Sequence, residues 1–161
     1  MTVETVELDT GEHLIASGDE VLYRQITRHL VAADGRPGSH AFGPQGADQG
    51  KASFSRSSRV SAQASRDWHT ANAKSPSLGV WAVSVDEVTK ARTVAIDDSG
   101  TPLDPGQKRA PGHCFVDYRG RMKEAEKTVR AILLRAALER EEIPTEDQTD
   151  GLFNASLRSG R

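Results

Sequence analysis

The chain has 161 residues, the size of one domain able to bury a core of its own. Its formal charge of -2 gives no global attraction to nucleic acid or to an anionic membrane, and a single cysteine, Cys114, excludes an internal disulfide. Hydrophobic residues make up 36% with a mean hydropathy of -0.55, and only four Phe, two Trp and two Tyr are present, so an aliphatic core with generous loops is expected.

Residues 1–19 read as an acidic, partly flexible leader. Glu4, Glu7, Asp9, Glu12, Asp19 and Glu20 fall in the first 20 residues without a Lys or Arg, a local charge of -6. Residues 48–74 carry five cations (Lys51, Arg56, Arg59, Arg66 and Lys74) against Asp48 and Asp67, a local charge of +3. The two segments either attract each other or are separately solvated.

Val21 to Ile26 is rich in β-formers and reads as a strand. From Ala33 to Gly50 the Gly and Pro residues punctuate too often for a long element, so a loop is expected, with a short strand around His40-Ala41-Phe42. A second short strand spans Ala52 to Ser55. Ser61 has the position of an N-cap for a helix from Ala62 to Ala71, and Lys74-Ser75-Pro76-Ser77 breaks it.

Leu78 to Ser84 is apolar on both faces, as a central strand would be. Ser84 and Glu87 have capping-box spacing for a short helix through Lys90. Strands follow at Thr93 to Ile96 and His113 to Tyr118, separated by a loop over Pro102 to Pro111. The longest helix runs from about Gly120 to Glu142, with Met122, Ala125, Val129, Ile132, Leu133, Ala136 and Leu138 as its apolar stripe. Pro144 stops it, and 145–161 form a polar tail whose last residues should be mobile.

This sequence of elements lacks regular strand–helix alternation. It predicts a single α+β domain over 20–144, with a mixed or antiparallel sheet of about five or six strands and a long C-terminal helix over one face.

Arg24 carries the sharpest chemical signal. Alternation places it with Leu22 and Ile26, so if that face is inward a guanidinium lies against the core. It then needs an anion or several acceptors: a partner carboxylate such as Asp97, Asp98 or Asp117, an edge position where the head reaches water, or a phosphate or ribose of a ligand. Cys114 and His113 are adjacent on one strand and point to opposite faces, which rules them out as a thiol–base pair. Cys114 should be a small core residue, while His113, Phe115 and Asp117 share the other face as a site wall or a half-exposed surface. No Cys/His spacing fits a zinc site, so no metal is expected.

Tyr23-Arg24, Gly50-Lys51-Ala52-Ser53-Phe54-Ser55 and Ser61-Ala62 together resemble the nucleotide-cradling core of ADP-ribosyltransferases, over roughly residues 21–72. That family carries an Arg or His on its first core strand, then a short strand ending in Ser or Phe-Ser, then a helix opening in small residues. The resemblance implies NAD as substrate, with Arg24 on its phosphate or ribose and Ser53 or Ser55 orienting the nicotinamide ribose. Tyr23 would line the cofactor site, and Phe54 would pack beneath it. Breaking the nicotinamide–ribose bond builds positive charge on the ribose and requires a carboxylate. The sequence has no Glu at the family's position and no His-Gly pair, which leaves Asp117 as first candidate and Asp97 or Asp98 next.

The whole chain also resembles small bacterial proteins that share Tyr23-Arg24-Gln25, Ala41-Phe42-Gly43-Pro44, Ser53-Phe54-Ser55-Arg56 and the Gly79 to Val85 run, a likeness that carries no activity.

Two functions follow as expectations. One is an NAD-dependent ADP-ribosyltransferase-like protein of a bacterial toxin or defence system, with Arg24, Ser55 and Asp117 catalytic. The other is a non-catalytic adaptor acting through a protein partner. Basic residues without an aromatic platform argue against nucleic acid. The absence of any apolar run long enough for a membrane span or signal-peptide core leads to a cytoplasmic expectation.

Overall fold

The computed structural model describes residues 7–147. Its centre is one sheet of six strands: β1 (His13–Leu14), β2 (Val21–Ile26), β3 (Lys51–Arg56), β4 (Gly79–Ser84), β5 (Ala95–Asp97) and β6 (His113–Asp117). The spatial order is β1-β5-β6-β3-β2-β4, and every neighbouring pair is antiparallel. Three helices complete the α+β domain: α1 (Ala62–Asn72), α2 (Val85–Lys90) and the long C-terminal α3 (Lys123–Arg140). No helix among the described residues is long and apolar enough to cross a membrane.

The two faces of the sheet have different jobs. Leu22, Ile26, Ala52, Phe54, Trp81, Val83, Cys114 and Val116 point to one face, where Val129, Leu133 and Ala137 of α3 close the core. Tyr23, Gln25, Ser53, Ser55 and His113 alternate with them and point to the other face, on which α1 lies. Helix starts follow their local chemistry. Ser61 Oγ accepts from Ala64 N at 3.0 Å to open α1, and Ser84 and Glu87 exchange bonds of 2.7 and 3.1 Å to open α2. Gly50 enters β3 at φ 79°, a left-handed conformation that a side chain would resist.

Three sequence expectations change. His40 to Phe42 forms turns instead of a strand, because its backbone serves side chains: Ala41 O accepts from Arg24 and Phe42 O from Tyr118. The leader contributes β1, and its Glu12 and Glu20 are buried. On α3 the seam is narrower than the expected stripe: Val129, Leu133 and Ala137 are buried, whereas Met122 precedes the helix at 82% exposure and Ile132 faces outward. The last tail residues, expected to be mobile, lie outside the described residues.

Attraction between leader and basic middle is realised at two points, Lys51 to Glu12 (3.7 Å) and Arg56 to Glu20 (2.8 Å). Arg56 also donates to Asp97 Oδ2 at 2.7 Å, and Ser58 Oγ to Glu20 Oε2 at 2.6 Å, so one guanidinium ties the start of β2, the end of β3 and the end of β5. The bond from Arg56 holds the Glu20 carboxyl below its ordinary value. Burial pushes Asp97 upward, but bonds from Ser99 and Arg56 more than offset it, so its carboxyl is also lowered. Carboxyls lowered in the folded state add stability above their unfolded values, about pH 4, and lose it as pH falls through the folded ones. Arg56→Met should therefore unfold at a higher pH than wild type and cost about 3 kcal/mol near neutrality. Far-UV circular dichroism across an acid titration and a urea series reads both, and coincident curves would remove the cluster from the stability argument.

Candidate functional site

The polar face of the sheet is only partly covered. Between α1 and the loop from Asp98 to Ala110 lies a hollow of about 630 Å³. Tyr23, Gln25, Ser53, Ser55 and His113 form its floor, Ser65, Trp68 and His69 one wall, and Asp98, Lys108 and Arg109 the other.

Three side chains on the floor and wall form a hydrogen-bonded series. Asp98 directly follows β5 and His113 opens β6, while Ser53 lies on β3, beside β6. His113 Nδ1 is 2.7 Å from Asp98 Oδ1, and His113 Nε2 is 3.2 Å from Ser53 Oγ. An ionised carboxylate only accepts, so Nδ1 donates to Asp98, and in the neutral form of the ring that leaves Nε2 to accept from the Ser53 hydroxyl. The loop holds the acid in place: Asp98 O accepts from Thr101 N and Oγ1 at 3.0 and 2.7 Å, and Arg109 clamps Ser99 O and Thr101 O at 2.9 and 2.6 Å. Ser53 is exposed to the hollow, with the His113 and Asp98 side chains 22% and 16% exposed. The serine is open to solvent while the carboxylate is more sheltered.

A second polar series meets the same floor. Ser77 Oγ is 2.7 Å from Gln25 Oε1, Gln25 Nε2 donates to Ser65 Oγ at 2.9 Å, and Ser65 Oγ donates to Ser55 Oγ at 3.0 Å. These bonds fasten α1 to the sheet through hydroxyls, which keeps that part of the interface polar.

Of the expected site residues, Tyr23, Ser53 and Ser55 line the hollow together. The other expected site residues are placed differently. Arg24 is 4% exposed, with its guanidinium on the core side. It donates from Nε to Ala41 O (2.8 Å), from one terminal nitrogen to Ser53 O (2.7 Å) and from the other to Gly43 O (2.8 Å), over the Phe54 ring at 5.3 Å. Burial pulls its pKa down to about 10, so it remains a cation at neutral pH. Arg24 borders the hollow, but each of its three guanidinium nitrogens donates to a carbonyl, and none of the expected aspartates is its partner. Phe54 turns the same way and stacks on Phe42 with centroids 6.3 Å apart.

Asp117 sits at the end of β6, bound by Arg119 N and Nε at 3.0 and 2.9 Å, and does not line the hollow. Asp97 faces Arg56; its neighbour Asp98 faces His113. Cys114 is buried on the core side, where burial pushes its thiol well up, in keeping with an inert core residue.

Sequence reasoning named Ser53, His113 and Asp98, but in three separate roles. Their convergence depends on the β3–β6 pairing, in which Ser53 stands opposite Phe115 and Ser55 opposite His113. No spacing along the chain encodes that pairing. No cluster of three or more His, Cys, Asp or Glu side chains suited to a metal occurs among the described residues. The outer side of α3 carries a shallow groove of about 320 Å³ between Leu134, Leu138 and Arg36, the apolar surface on which an adaptor reading would draw. Compared with protein-family models, curated proteins and solved structures, the chain matches none.

The placement of Arg24 has a direct consequence for stability. Arg24→Met should leave three carbonyls without donors and cost at least about 3 kcal/mol in urea unfolding without any ligand present. Arg24→Lys should recover only part, because an ammonium cannot span the three acceptors as the planar fork does. A wild-type unfolding curve for Arg24→Met would show that these bonds contribute nothing.

Proposed function

We propose that the hollow is an active site in which Ser53 Oγ is the nucleophile, His113 its base and Asp98 the group that orients the base. The substrate class is an ester or a related acyl compound. One observation carries this reading: the Asp98–His113–Ser53 series, with separations of 2.7 and 3.2 Å, opens on a cavity large enough for a small molecule.

The chemistry balances. Ser53 Oγ bonds to the carbonyl carbon as its proton passes to His113 Nε2, and Asp98 stabilises the imidazolium that results. Collapse of the tetrahedral centre breaks the bond to the leaving group, which takes the proton from Nε2. Water then repeats the sequence on the acyl-serine and restores the hydroxyl. The loop clamp from Arg109 keeps Asp98 fixed throughout, so the imidazole has one orientation to adopt.

The expected outcome is covalent labelling of the intact protein at Ser53 by a fluorophosphonate and hydrolysis of p-nitrophenyl acetate. Ser53→Ala should abolish labelling, and His113→Ala should slow it by about 100-fold or more. Mass spectrometry of the labelled peptide identifies the site. A wild type no more reactive than Ser53→Ala sinks the proposal.

A second reading, NAD-dependent ADP-ribosyl transfer, is favoured by a different feature. The Tyr23, Ser53 and Ser55 hydroxyls share the hollow with a carboxylate, now Asp98, in the role first given to Asp117. Arg24 then supports the floor and makes no contact with NAD. Calorimetry with NAD distinguishes the two: saturable binding weakened by Asp98→Asn, without fluorophosphonate labelling, would favour transfer over hydrolysis.

A further inference from the structure

We infer that Ser55 is the donor that receives the substrate's carbonyl oxygen as it becomes negatively charged, and that Gln25 and Ser65 position it. This rests on the reading of Ser53 as nucleophile and extends it to a residue outside the Asp98–His113–Ser53 series.

Ser77 Oγ donates to Gln25 Oε1 at 2.7 Å, and Gln25 Nε2 faces Ser65 and donates to its Oγ at 2.9 Å. Ser65 Oγ accepts from Gln25 and hands its own proton to Ser55 Oγ. The Ser55 oxygen is thereby occupied as an acceptor, and its proton is left to point away from Ser65. Ser55 is 7% exposed and borders the hollow, so the acceptor for that proton comes from within the cavity.

Geometry puts the proton in a useful place. Ser53 and Ser55 lie two residues apart on one face of β3, about 6.6 Å along the strand. His113 stands opposite Ser55 in the register and bonds to Ser53 on the diagonal. An acyl carbon attached to Ser53 Oγ therefore lies between the two serines, beside the imidazole, with its oxygen directed toward Ser55. A donor fixed by neighbours before the reaction stabilises that charge without reorganising, which is what makes such groups effective.

The test measures acylation of Ser53 by p-nitrophenyl acetate and by a fluorophosphonate in the full chain. Ser55→Ala should lower the acylation rate by about 100-fold, and Ser55→Thr, which keeps the hydroxyl, should restore most of it. Ser65→Ala should lower kcat by about 10-fold, with the larger effect on kcat than on KM, because it frees the Ser55 proton that Ser65 otherwise directs. Thermal melts check that the variants fold, and Ser65→Ala decides the matter if Ser55→Ala does not fold. Wild-type acylation in Ser55→Ala, or in a folded Ser65→Ala, with reactive wild type overturns this inference and leaves Ser53 intact as nucleophile. An unreactive wild type removes the nucleophile and this inference with it.

Discussion

The Arg24 guanidinium organises the molecule around it. A cation this deeply buried is costly unless its donors are met, and here the fork collects the carbonyls of Ala41, Gly43 and Ser53 while its plane lies over Phe54. Two of those carbonyls belong to the Gly- and Pro-rich segment before β3, which has no ladder of its own to satisfy them. The bonds let that segment fold inward, so that Ala41 and Phe42 reach zero exposure. The third carbonyl has a larger effect. β2 pairs with β4 along its whole length, but with β3 only at Leu22–Arg56 and Tyr23–Ser55. The next pair would join Gln25 to Ser53. Arg24 takes the Ser53 carbonyl instead, and the two strands part where the hollow begins.

What grows on that opening is a polar interior held by specific bonds. α1 meets the floor through Ser65 and its contacts with Gln25 and Ser55, so polar bonds set the spacing of the helix above the floor. The facing loop is held by Arg109 on the carbonyls of Ser99 and Thr101, not by a core of its own. Such a hollow keeps its shape only while these bonds persist. Stability comes from the other side of the sheet, where Val129, Leu133 and Ala137 share a core with Leu22, Val83 and Cys114.

Much of this fold was legible in the chain because local signals were strong. Val21 to Ile26, the Ser61 and Ser84 helix starts and the apolar Gly79 to Ser84 strand each follow from residues within one element. The failures share a cause: they depend on partners far away in sequence. His40 to Phe42 has strand-like composition, yet the side chains of Arg24 and Tyr118 claim its carbonyls. The helical stripe looked wide because hydropathy cannot say which apolar residues meet the sheet, and Ile132 does not. For the site, the β-alternation separating His113 from Cys114 was readable, but the strand was expected to end at Ile96, so the opposite orientation of Asp97 and Asp98 was not. The diagonal contact between Ser53 and His113 needed the β3–β6 register, which local composition does not encode.

That register gives the sheet an economy of adjacent residues. Phe54 packs the core while Ser53 and Ser55 face the hollow; Cys114 is buried while His113 meets Asp98; Asp97 binds Arg56 while Asp98 holds the imidazole. In each pair one residue packs or pairs on the apolar side and its neighbour faces the hollow. A slip of β3 by one residue would exchange the roles, placing Ser53 in the core and Phe54 in the cavity, so selection for a packed core also fixes the position of the serines. The Arg56 cluster at one end of β3 and the left-handed Gly50 at the other secure that alignment. Geometry at Ser53 is therefore inherited from the apolar face, and the polar face can vary its ligand contacts without renegotiating the fold.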